Sequence, residues 1–201
     1  EAGEQYGSSD FAVARYLSEP IASLGLVAGQ LDPAFGTGGV TYVGLDEDVV
    51  PAQSPDPQYT NDYLNNLVIQ PDGAIVAVGY SNSYNQATQQ TVRNTDFAVL
   101  RLTSSGQLDS SFGAGASYNF SNTQVLENVN GLVLVDFGGS ESASAVDIDS
   151  LGRIVVGGSS RIARLNADGS LDTTFDGDGR RTWNYSISSL FVDPMDRIVM
   201  G

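Results

Sequence analysis

Short apolar runs, separated by turns rich in Gly, Asp and Ser, fill this chain, and none keeps a helical period. Three blocks recur in a fixed order. The first is an apolar strand carrying an arginine: Phe11-Ala-Val-Ala-Arg15-Tyr16, Phe97-Ala-Val-Leu-Arg101-Leu102 and Arg161-Ile-Ala-Arg164-Leu165. The second is a Gly-x-Leu-Asp-x-x-Phe turn, at Gly29 to Phe35, Gly106 to Phe112 and Gly169 to Phe175. The third is a turn feeding a β-branched strand: Gln70-Pro-Asp-Gly73 into Ala74 to Gly79, Asp149-Ser-Leu-Gly152 into Arg153 to Gly157, and Asp193-Pro-Met-Asp196 into Arg197 to Gly201. A short alternating run precedes each third block, at Leu67 to Ile69, Ala145 to Ile148 and Leu190 to Val192.

Each repeat therefore predicts four strands. In the cleanest copy they fall at 143–148, 153–158, 160–165 and about 179–184. Asp72-Gly73 reads as a hairpin turn, because glycine accepts the positive φ such turns need, and Asp196 stands where the last copy lacks the glycine. Four short antiparallel strands per repeat are the pattern of a propeller blade. A β-sandwich would not explain why the same order returns three times. The fold expected is all-β and propeller-type, with about three four-stranded blades. The expected division is a half-blade at 1–45, a blade at 64–121, an insertion at 122–142, a blade at 143–184 and a half-blade at 185–201.

The Asp-Phe-Ala-Val-x-Arg strand, the Gly-x-Leu-Asp-x-x-Phe-Gly turn and the Pro-Asp-Gly-x-Ile-Val hairpin resemble the bacterial delta-60 repeat family. That resemblance implies a propeller-like fold in a secreted or surface-exposed protein. It carries no catalytic residue, and the long insertions and small repeat number depart from the family pattern.

Charge and composition narrow the partners. The net charge is −15 and every cationic side chain is arginine, which disfavours nucleic acid and anionic lipid. No run of about 18 apolar residues is present to span a membrane as a helix. Residues 1–10 lack the basic and apolar regions of a signal peptide. The absence of Cys, His and Lys removes thiolate, imidazole and Schiff-base chemistry. No enzyme activity and no cofactor are expected. A carbohydrate-active enzyme would need two carboxylates set apart from the 24 present, and no pattern sets them apart. Asp176-Gly-Asp178-Gly179 and Asp147 to Gly152 faintly resemble calcium loops, but neither has a full ligand pattern and turn chemistry accounts for both.

The recurring pairs Arg15 with Asp32, Arg101 with Asp109 and Arg164 with Asp172 are expected to fix strand register, since a catalytic site needs its residues once. Phe35, Phe112 and Phe175 are expected to fill the space between blades, and Trp183 to sit in a core or blade interface. Asn130 to Asp136, which alternates poorly, fits either an extra strand or a buried plug. Insertions at 46–62, 81–95 and 122–142 are expected on one face and 18–28 on the other. Their amides and tyrosines suit protein or glycan contact, with Tyr59, Asp62, Tyr63, Tyr84 and Asn85 the candidate binding residues.

The chain opens on a third strand and ends on a second, so its half-blades are complementary. Either longer chain surrounds it, or copies associate through these edges. The functional expectation is an extracellular or cell-surface scaffold for protein or glycan interaction or assembly, with a filament, sheath or adhesin segment as the alternative.

Overall fold

The structure, a computed structural model, describes residues 11–43, 62–82, 95–114, 118–119, 125–126 and 130–201. Among these residues it is all-β apart from one 3-10 turn at Ala22–Leu24. Strands β1 (Phe11–Ala14) and β2 (Val40–Val43) form a half-blade. The second blade is β3 (Asp62–Ile69), β4 (Ile75–Asn82), β5 (Thr95–Leu102) and β8 (Leu132–Val135), all antiparallel. The short pair β6 (Tyr118–Asn119) and β7 (Val125–Leu126) lies in the connection before β8. The third blade is β9 (Ala145–Ile148), β10 (Ile154–Gly158), β11 (Arg161–Leu165) and β12 (Arg180–Thr182). A last half-blade pairs β13 (Leu190–Val192) with β14 (Ile198–Met200). The four predicted strands of the cleanest copy are thus β9 to β12.

Three apolar layers hold successive sheets face to face. Phe11, Val13 and Phe35 of the first half-blade pack on Ile75, Ala77 and Leu100. The other side of that blade, through Val76, Val78 and Val99, packs on Val146, Ile154 and Val156. Val155 and Ile162 then meet Ile187, Val192 and Met200. Because each complete blade is covered on both sides, β10 is buried at every residue. Such strands lose the alternation of a half-solvated sheet and read as continuous apolar runs. First strands of successive sheets lie beside each other, β3 by β9 and β9 by β13, as inner strands of a propeller do. Polar ties join them: Asn65 Nδ2 donates to the Ala143 carbonyl at 2.7 Å, and the Val192 N–H to Asp147 at 2.7 Å.

One boundary is corrected. The fourth strand of the second blade is Leu132–Val135, paired with β5 in register Phe97 to Val135, so 122–142 is not an insertion beyond a finished blade. The inserted length instead separates strand three from strand four. The expectation that 46–62, 81–95 and 122–142 share one face rests largely on residues outside those described. Glycine marks the true start of each fourth strand. The Gly39, Gly131 and Gly179 N–H groups donate to the Phe35, Phe112 and Phe175 carbonyls at 2.9, 2.7 and 2.8 Å.

The turn glycines report directly on blade packing. Gly106 and Gly169 both have positive φ, and a Cβ on either would lie 2.8 Å from the amide nitrogen of Gly36 or Gly113 in the preceding sheet. Gly29 occupies the same turn position with φ +85, yet a Cβ there would meet nothing within 4 Å. Gly29→Ala should therefore cost about 1–2 kcal/mol from backbone strain alone. Gly169→Ala should lose about 1–3 kcal/mol more from overpacking, read as a larger fall in urea midpoint.

Candidate functional site

Each repeat builds the same arginine station. Arg15, Arg101 and Arg164 end the third strands, and the Asx turn of Gly-x-Leu-Asp brings Asp32, Asp109 and Asp172 to each Nε at 2.8 Å. The guanidinium carbons stand 4.8, 4.7 and 4.9 Å from the ring centres of Phe35, Phe112 and Phe175. The station also reaches into the next sheet: Arg15 donates to the Ser104 carbonyl and Arg101 to the Ala167 carbonyl. The Gly36 and Gly113 N–H groups follow, onto the Ser105 and Asp168 carbonyls at 2.8 and 2.7 Å. The first two stations thus staple one sheet to the next. Phe35 and Phe112 are fully buried, whereas Phe175 is only half-buried.

The carboxylates are held ionised. The Thr174 hydroxyl, then its N–H and Arg164, overcome burial and bring Asp172 down to about 2. At Asp109, burial is outweighed by Ser111 and Arg101, and at Asp32 the Ala34 N–H leads the lowering. Neither calcium candidate is a free cluster. Asp147 accepts the Val192 N–H, and Asp149 accepts Arg153 Nε at 2.6 Å. Asp176 and Asp178 pair with Arg181 and Arg180.

Of the predicted binding residues, Tyr59, Tyr84 and Asn85 lie outside the described residues. Asp62 and Tyr63 do not lie on a loop; they open β3. Asp62 is buried there, which removes it from any exposed contact surface. Tyr63 is 42% exposed and stacks on Tyr80, with ring centres 4.9 Å apart. Trp183 is 40% exposed just beyond β12 rather than buried between blades.

The structure also gathers acids that sequence reading did not connect. Asp96 stands at the start of β5, Asp136 follows β8, and Glu141 lies in the connection to the third blade. Val135 pairs with Phe97, so Asp136 comes opposite Asp96. The Glu141 N–H donates to the Thr95 carbonyl at 2.6 Å, which draws its side chain to the same end of the sheet. One carboxylate oxygen of each residue lies within 4.8 Å of the others. Burial, then repulsion from Asp136 and Glu141, pushes Asp96 up to about 7. Burial also raises Glu141, against the pull of Arg161.

These packed, stapled sheets agree with comparison to known families. A family model described as a domain of unknown function (DUF5122) beta-propeller matches residues 70–112 and 152–175. The repeat is of the β-propeller type. The matched residues carry the second and third strands and the Gly-x-Leu-Asp-x-x-Phe turn of the two complete blades. No curated protein and no solved structure matches the chain.

Proposed function

We propose that this propeller segment, of delta-60 type, is a non-enzymatic scaffold outside the cell that works by joining other propeller sheet through its outer sheets. The observation that carries this reading is the contrast between equivalent positions. Val76 and Val155 on the second strands are 0% and 1% exposed, while Val199 at the same place in β14 is 56% exposed. Exposed apolar surface of this kind is surface that a further sheet would cover, whether from the same chain or from another. The recurring arginine–aspartate pairs support a scaffold too, since their charges are already engaged with each other inside each repeat.

The complement is specific. Setting β1 of a second copy against β14 would make a sheet in the order first, second, third and fourth strand. Gly29 of that copy would then cover Phe175, as Gly106 and Gly169 cover Phe35 and Phe112. Head-to-tail joining of this kind is heterologous and builds rings or filaments. The test is the native particle mass beside the 21.1 kDa chain mass. Particles of several chains are expected, and Val199→Asp should return them to single chains. A wild-type chain that stays single at every concentration would overturn the proposal.

A second reading has its own observation. The stacked Tyr63–Tyr80 pair is an exposed aromatic surface of the kind that packs on sugar rings or protein side chains. Tyr63→Ala should abolish binding on a glycan or protein array while leaving the particle mass unchanged.

A further inference from the structure

We infer that Asp96, Asp136 and Glu141 form a site for one calcium ion at the junction between the second and third blades. Three carboxylates from β5, the end of β8 and the inter-blade connection converge, each with an oxygen within 4.8 Å of the others. Calcium holds oxygens at about 2.3–2.6 Å, so ligands on one ion lie no more than about 5 Å apart. The observed spacing therefore allows a single ion to touch all three.

An independent observation points to a ligand. Glu141 is 2% exposed, and its Oε2 is buried with no hydrogen-bond partner. A buried carboxylate oxygen without a donor is costly, and native proteins rarely leave one so. Its other oxygen, Oε1, faces Gly139, where a Cβ would lie 2.8 Å away, and Arg161 Nε at 3.9 Å. That leaves Oε2 as the oxygen with capacity to spare. Arg161 stands in ion-pair range of Oε1, but its buried Nε makes no hydrogen bond there. Among the described residues only Arg161 is in ion-pair range of this cluster, through Glu141, and a divalent cation would supply further positive charge.

The donor chemistry selects the ion. The chain has neither His nor Cys, so only oxygen ligands are available, which suits hard cations over zinc or copper. Calcium takes six to eight oxygens in flexible geometry, whereas magnesium demands a near-ideal octahedron. Acids from three separate segments, one exposed and one buried, fit the flexible ion with waters filling the remaining positions.

The test is titration calorimetry of the full chain, stripped with chelator, with calcium chloride and separately magnesium chloride. Sodium chloride at about 0.15 M screens the acidic surface. One saturable calcium per chain is expected, with magnesium weaker. Asp136→Asn, at an exposed position, should weaken calcium binding at least about tenfold. Asp178→Asn, outside the cluster, should leave it unchanged. Circular dichroism of the two variants without calcium should match the wild type. No saturable calcium binding, equal behaviour of the two variants, or magnesium binding as tightly as calcium would each overturn the assignment.

Discussion

Replacing Phe112 with alanine should cost roughly 3–5 kcal/mol of unfolding free energy, the range for a large aromatic lost from a core. Phe112 has no exposed surface. Its ring lies in the layer shared by the two complete blades, under the Arg101 guanidinium. A Cβ on Gly169 would come 3.0 Å from its edge, so the neighbouring blade is closed against it and has little room to collapse into the space. The residual cavity should therefore keep most of its cost. A typical domain has only about 5–15 kcal/mol in hand, so the variant should unfold at much lower urea. Phe175→Ala removes the equivalent ring from a half-buried place and should cost less than half as much. Urea unfolding at a concentration where the chain is single reads both. Equal losses would mean that the layer between the third blade and the last half-blade is as closed as the layer between the two complete blades.

The same pair of phenylalanines illustrates what the sequence could reveal. Repetition made the second and third strands legible, because Phe97 to Leu102 and Arg161 to Leu165 carry the same arginine at the same place. The hairpin glycines and Asp196 were legible through backbone chemistry: Gly73, Gly152 and Asp196 have φ of +87, +77 and +58. The fourth strand of the second blade was not. Leu132 to Val135 is covered on both sides and does not alternate, and an insertion holds it away from its turn. A signal was nonetheless present. Gly39 and Gly179 each follow their phenylalanine by four residues and open a fourth strand, and Gly131 does the same work after the insertion. Missing that strand hid the acidic cluster as well. Asp96 and Asp136 are distant in sequence, and only the pairing of β5 with β8 sets them together. Asp62 was misplaced for a related reason: polar residues at a strand end look like loop until register shows Asp62 opposite Ser81.

Asp172 should prove the most sensitive of the recurring acids. It is buried and accepts four bonds: Arg164 Nε at 2.8 Å, Arg153 Nη1 at 3.3 Å, the Thr174 hydroxyl at 2.6 Å and the Thr174 N–H at 3.0 Å. Asp172→Ala would leave two guanidinium groups without this carboxylate. Both keep some contact with water, so the loss should be roughly 2–4 kcal/mol, toward the low end for a broken buried pair. Acid should produce a related effect in the wild type. The folded pKa of about 2 lies below the ordinary 3.8, so the stabilisation is complete above pH 3.8 and is lost as pH falls toward 2. Asp32 and Asp109 are lowered in the same direction and should add to that slope. Thermal melts between pH 5 and 2 should therefore show a steep fall in the wild type and a shallower one in Asp172→Ala. Parallel curves would mean that the Arg164–Asp172 station contributes no charge-dependent stability, and that the repeat keeps these residues for shape alone.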